Sequence, residues 1–192
     1  MRLLLHGALN AKVFRLGNIT NRASDGMFQL NVSENAFLNR IKSFIELKAI
    51  PDYLLDGYTE FTPVDKCAEA IVKIINTENP YFVFHLFNHN HISLRRLVEL
   101  MNNFGLHIDC LCDDDFKNLV DSYLSKEENK SSLAGIINDF NMNKKLVYES
   151  KISLSDDLTT KFLNLIGFSW PIIDEDYMHK YFLYLKSIHY IN

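Results

Sequence analysis

The chain has 192 residues, 47% hydrophobic and 23% charged, which suits one folded domain with or without a small subdomain and excludes a disordered or fibrous polypeptide. A net charge of −4 at pH 7 weighs against a nucleic-acid partner, because phosphate recognition relies on clustered Lys and Arg. Three cysteines at no metal-ligand spacing suggest a reducing compartment, and no apolar run approaches the ~18 residues of a membrane span.

The opening stretch MRLLLHGALNA (Met1 to Ala11) has too short an apolar core for a signal peptide, so a soluble, cytoplasmic chain with no membrane partner is expected. The run Val13-Phe14-Arg15-Leu16 reads as a β-strand, and Gly17-Asn18 ends it with a strong turn signal. Its adjacent apolar residues suit a strand covered on both faces. From Glu34 to Leu47, Phe37, Leu38, Ile41, Phe44 and Ile45 recur at helical spacing. Pro51 is expected to stop that helix. In YTEFTPVDKCAEAIVKII (Tyr58 to Ile75) a short extended piece leads to Pro63. Asp65 can cap the helix that follows, and Ala68, Ile71, Val72 and Ile75 form its expected apolar stripe.

Tyr81 to Asn88 is an aromatic-rich strand. Ser93 then offers a cap for an amphipathic helix through Leu94, Leu97, Val98 and Met101, closed by Gly105. The order β, α, extended, α, β, α is α/β architecture with parallel strands. Beyond it, His107 to Phe116 gives one more strand and the start of a helix whose acidic residues sit at its positive end. Ser125 to Ser132 is the most polar stretch and reads as a loop. Helices follow in LAGIINDF (Leu133 to Phe140), in the stretch capped by Ser155 and stopped by Gly167, and in a last one from Asp174. The expected fold class is therefore α/β: an incomplete layer of late strands and helices over residues 1–105, and a small, mostly helical subdomain over 106–192.

Several clusters invite chemistry and fit plainer roles. Cys110 and Cys112 would share one strand face among Asp109, Asp113, Asp114 and Asp115, but a metal needs convergent ligands from elsewhere, and plain strand cysteines are the better reading. His85 lies within a strand pattern while His89 and His91 lie in a turn, so a shared tetrahedral site is not expected and no metal is assigned. Asn141 to Leu146, the best basic stretch, reads as solvated surface. Asp65 is read as a helix cap rather than a catalytic acid, and Asp25-Gly26 as turn chemistry. Trp170-Pro171, with Phe168 and Ile172, reads as hinge packing between helices. The stripe Tyr177, Tyr181, Tyr184 reads as core.

VFRLGNITNRASDGMFQ (Val13 to Gln29), FTPVDKCAEAIVKI (Phe61 to Ile74) and VFHLFN (Val83 to Asn88), in that order and at those separations, resemble the thioester reductase domains that end many nonribosomal peptide synthetases. Carboxylic acid reductases and fatty acyl reductases carry related domains. The resemblance runs from Asn10 to about Gly105 and more loosely through the helical tail. It implies an extended short-chain dehydrogenase/reductase with a Rossmann-type layer and a nicotinamide cofactor, usually NADPH. The implied reaction reduces an acyl or peptidyl thioester on a carrier protein's phosphopantetheine arm and releases an aldehyde or alcohol.

On this resemblance the Val13 strand falls late in the sheet. Arg15, Gly17, Asn18 and Arg22 match the loop beside the nicotinamide end of the cofactor in an intact enzyme. The sequence has no G-x-x-G-x-x-G after a strand to hold a pyrophosphate, and no Tyr-x-x-x-Lys where the family places it; Tyr177 and Lys180 have the wrong spacing. The expectation is the C-terminal portion of a reductase that has no catalytic residue of its own and binds no NADP alone. Substrate contacts are not assigned. Expected partners are a phosphopantetheinylated carrier, the remainder of a reductase or synthetase polypeptide, and a second copy through an exposed strand edge. A non-enzymatic carrier-docking module, with basic clusters at Arg95-Arg96 and Lys144-Lys145, and a half-enzyme complemented in trans are the alternatives.

Overall fold

The computed structural model describes residues 11–126, 133–142, 145–147 and 157–191. Expectations for the first ten residues, for Lys144, for Ser155 as a cap and for most of the polar stretch after Lys126 fall outside the described residues. The chain divides into two compact units, each drawn from separated stretches.

The first unit comprises Met1–Asp25, Glu60–His91 and Ile152–Ile173. Strand β1 (Val13–Leu16) continues past a bend into β2 (Ile19–Thr20). β1 pairs in parallel with β6 (Val83–Leu86), whereas β2 pairs in parallel with β5 (Thr62–Pro63). One kinked strand therefore changes neighbour at Gly17-Asn18. Helix α2 (Val64–Asn76) follows β5, and α6 (Asp157–Leu165) closes the unit. Cys67, Ala70 and Ile74 of α2 join Phe84 and Leu86 of β6, Leu163 of α6, Phe168 and Trp170 in one buried cluster, with Phe14, Ile19, Ile71 and Phe162 against it.

Two expectations for this unit need correction. The buried stripe of α2 is Cys67, Ala70 and Ile74, while Ala68 is exposed and Val72 and Ile75 are 56% and 58% exposed. Alanine, valine and isoleucine occur around most of this helix, so composition alone offered two faces of similar apolarity. Nor is β1 covered on both faces among the described residues: Phe14 faces the cluster, but Leu16 is 49% exposed.

The second unit comprises Gly26–Thr59, Ile92–Lys151 and Asp174–Asn192. Helix α1 (Ala36–Leu47) begins after Asn35, whose side chain accepts the Leu38 N–H at 3.0 Å. Glu34 belongs to a preceding 3-10 turn. The helix ends where Lys48 takes a left-handed conformation, φ 51°. Pro51 is not its stop, since it lies in β3 (Ala49–Pro51), which pairs in parallel with β8 (Asp109–Leu111). β4 (Tyr58–Thr59) runs antiparallel to β7 (Ile92–Ser93). Ser93 caps α3 (Leu94–Asn103) by accepting the Arg96 N–H at 3.1 Å, and Gly105 closes it at φ +94°. Three aspartates open α4 (Asp113–Leu124), where negative charge complements the helix dipole. Only four residues of LAGIINDF are helical, α5 (Ala134–Ile137). Asp174 caps α7 (Glu175–Ser187) through the Tyr177 N–H at 2.9 Å.

Phe44 of α1, Leu94 and Leu97 of α3, Phe116 of α4, and Tyr181 and Phe182 of α7 are fully buried in this unit. The tyrosine stripe of α7 is core at Tyr177 and Tyr181, and Tyr184 donates its hydroxyl to the Phe28 carbonyl at 3.0 Å. Among the described residues no helix is long and apolar enough to cross a membrane.

Candidate functional site

The change of neighbour at Gly17-Asn18 opens a fork at the carboxyl ends of parallel strands, the place where open α/β sheets bind ligands. The Gly17 N–H still donates to Leu86 of β6 at 2.9 Å, while the Asn18 carbonyl already accepts the Thr62 N–H of β5 at 3.0 Å. Between the arms lies Glu60. Its carboxylate accepts the Asn18 N–H at 3.1 Å and the Thr62 hydroxyl proton. Gly17 is required here by close approach: a Cβ on it would lie 2.0 Å from Glu60 Oε1 and 2.6 Å from the Phe87 Cβ.

Asn88, just past β6, is fully buried and ties the fork to the chain behind it. It donates its backbone N–H to Thr62 Oγ1 at 2.8 Å, and its side-chain amide to the carbonyls of Phe61 and Pro171, each at 3.0 Å. Asn90 adds a bond to the Trp170 carbonyl at 3.1 Å. Trp170 and Phe168 meet edge to face, 5.1 Å between centroids, whereas Ile172 is exposed.

The residues expected beside a cofactor lie along this fork and the loop after it, each already engaged. Arg15 Nη1 is 3.5 Å from His85 Nε2. Arg22 makes a two-pronged pair with Asp25, at 2.9 and 2.6 Å. Asn18 and Gly17 are held as described. Asp65 is not the N-cap of α2, a place taken by Pro63. It sits within the first turn and accepts the backbone N–H groups of Ala23 at 2.9 Å, Ser24 at 3.1 Å and Lys66 at 3.0 Å. Burial pushes its carboxyl upward, but these backbone bonds, together with one from the Ser24 side chain, outweigh burial and leave it below the usual carboxylate range. Asp65 therefore anchors the loop that carries Arg22.

His85 donates its backbone N–H to Thr159 Oγ1 of α6 at 3.0 Å, and the His91 ring stacks obliquely 6.3 Å from Phe87. Among the described residues no group of three or more His, Cys, Asp or Glu side chains is arranged to hold a metal. Burial, with the Glu60 charge second, pushes the Cys67 thiol up to about 11, which makes it a core residue rather than a nucleophile.

Sequence reasoning missed Glu60, Thr62 as a hydroxyl donor, and Asn88. A polar residue two positions before a β-Pro step is a faint signal. The fork itself depends on which strands pair, and pairing is not local.

No protein-family model and no curated protein matches the chain. Solved structures do. The chain is 30% identical, at a TM-score of 0.82, to a thiolation-reductase di-domain from an archaeal non-ribosomal peptide synthetase, over 98% of this chain and 39% of that one. The reductase domain of the aureusimine biosynthetic cluster matches at 20% identity and a TM-score of 0.75, over 96% of this chain and 47% of that one. The terminal R domain of the myxalamid PKS-NRPS pathway matches at 20% and 0.73, over 94% and 44%. The chain thus spans less than half the length of the structures it matches.

Proposed function

Taking as premise that the chain corresponds to the C-terminal part of a nonribosomal peptide synthetase reductase domain, we propose that it supplies the substrate-facing share of an NAD(P)H-dependent thioester reductase. The observation that carries this reading is the alignment of 98% of the chain with a thiolation-reductase di-domain at 30% identity. The reaction cleaves the C–S bond of a carrier-bound acyl or peptidyl thioester: one hydride and one proton enter, and an aldehyde and the pantetheine thiol leave. A second hydride and proton would give the alcohol. The nicotinamide cofactor supplies the hydride when bound.

In that reading the fork lines the nicotinamide end of the site. Gly17 and Asn18 present the backbone there, and Arg22, fixed through Asp25 and Asp65, sets the outer wall. These residues suit one end of a dinucleotide only. Nothing in the sequence follows a strand with a glycine turn suited to the pyrophosphate, so the chain is inactive by itself. Titration calorimetry with NADPH tests this: no binding heat is expected, and a saturable isotherm contradicts the reading.

A specific observation favours completion by a second polypeptide. The N–H groups of Val13 and Gly17 point to β6, so those of Phe14 and Leu16 point the other way, where no strand pairs among the described residues. Val72 and Ile75 of α2 are also exposed. An open edge and an open helix face suit a complementary Rossmann half or a second copy of the chain. Co-expression with a Rossmann half carrying Tyr-x-x-x-Lys is expected to yield a co-purifying complex. Separate elution, with each part monomeric, argues against it. A phosphopantetheinylated carrier is the proposed thioester donor.

A further inference from the structure

The second unit holds an apolar hollow that the reductase reading does not use. Lys117, Val120, Asp121 and Leu124 line one side of it and Ile137 and Phe140 the other, around a volume of about 170 Å³. The first four recur at helical spacing, so one face of α4 forms the whole of that wall. Two of them are charged, yet the lining is apolar. Lys117 Nζ is held by Asp113 Oδ2 at 3.0 Å, one turn back along α4, which draws the charge toward that end and leaves the methylene stem as wall. Asp121 is exposed, and its carboxylate meets solvent.

Side chains pack too closely to leave a hollow of this size unless its walls are kept apart, and here each wall is fixed by contacts of its own. Gly135 of α5 lies against the backbone of α1: a Cβ on it would be 2.2 Å from the Asn39 carbonyl carbon. The Arg40–Asp139 ion pair, at 2.6 Å, and the bridge between Phe140 and Leu146 hold the chain that follows. On the other side, Phe116 and Val120 of α4 are buried in the core. Neither helix is therefore free to slide into the space. Leu124, Ile137 and Phe140 remain half-exposed around it, and a preformed cleft with apolar walls is the usual form of a small-molecule site.

We propose that the hollow between α4 and α5 binds a compact, uncharged hydrocarbon group on a small molecule, a phenyl ring or a branched alkyl group. The size follows from the volume, since an apolar cavity of roughly 150 Å³ in another protein admits benzene. The class follows from the walls. Val120, Leu124, Ile137 and Phe140 carry no side-chain hydrogen-bonding group, so a charged or hydroxyl-rich ligand would be buried there unpaired, which is unfavourable. The inference rests on the hollow alone, so failure of the reductase reading leaves it standing.

The test is an NMR titration of the full chain with toluene, following the methyl resonances of Val120, Leu124 and Ile137. These are expected to move saturably, with a rise in the thermal midpoint, while the exposed methyls of Val72 and Ile75 show no saturation. Ile137→Trp fills the hollow, and at least about tenfold more toluene is then expected for the same Val120 shift. Tryptophan adds apolar surface, so a non-specific attraction would strengthen instead. Should Ile137→Trp fail to fold, Leu124→Trp fills the space from the opposite wall and carries the same expectation. Resonances of Val120, Leu124 and Ile137 that never saturate in the folded wild type overturn the proposal, and so does unchanged saturable binding in a folded, filled variant.

Discussion

The first unit covers its parallel strands on the side of Phe14, Phe84 and Leu86, yet leaves Val13, Val83 and His85 half-exposed and the outer edge of β1 without a partner among the described residues. The second unit buries large side chains from α1, α3, α4 and α7 in one helical core. It locks its periphery with long-range polar contacts: Arg40 to Asp139 at 2.6 Å, and the Tyr53 hydroxyl accepting the Leu146 N–H at 2.9 Å. Parallel sheets are normally buried on both faces, a condition that these strands do not meet among the described residues. The contrast places the larger helical core in the second unit and the strand fork in the first.

The largest effect expected from a single change is in the helical core. Phe44→Ala removes a fully buried ring and should cost about 3–5 kcal/mol, read as a lower urea midpoint at unchanged slope. A loss below about 1 kcal/mol would mean that this core is not close-packed and would erase the contrast.

A smaller loss, about 1–3 kcal/mol, is expected from Asp65→Ala, which strands the backbone donors of Ala23 and Ser24. Its pH dependence has a definite sign. The folded carboxyl lies below its unfolded value of 3.8, so its stabilisation is complete above that pH and vanishes as pH falls through the folded value. Wild type and Asp65→Ala should therefore differ near neutrality and converge in acid. A gap that persists unchanged however far the pH is lowered below 3.8 would assign the effect to packing instead.

Ser93→Ala removes the cap of α3 and should cost about 1 kcal/mol, measured by thermal unfolding. The smallest expected change in stability, within about 0.5 kcal/mol, belongs to the double change Val72→Ser and Ile75→Ser on the open face of α2. That pair sharpens the comparison from the other side. It should lower self-association in sedimentation velocity while leaving the melting curve in place, and a strongly destabilised monomer would show that the face is core after all.

Helices were the legible part of this chain. Asn35, Ser93 and Asp174 sit at helix starts with short polar side chains, and Gly105 and Gly167 follow helix ends at φ +94° and +71°; these are local signals. The end of α1 at Leu47 was legible from the apolar spacing but its cause was not, because Lys48 turns left-handed while Pro51 lies in β3. The face of α2 was misjudged because apolar residues occur around most of the helix, and the small Cys67 and Ala70 are the ones that suit close packing against β6 and α6. The motif order in Val13 to Asn88 pointed to the reductase family. The fork did not show, since Glu60, Thr62 and Asn88 converge only once β5 and β6 flank the same kinked strand.

NADPH consumption with an acyl thioester on a phosphopantetheinylated carrier tests the account most directly, run on the chain alone and again with a Rossmann half bearing the glycine turn and Tyr-x-x-x-Lys. The account predicts no turnover from either polypeptide alone and measurable aldehyde release from the two together. Steady turnover by this chain without the second polypeptide would contradict it.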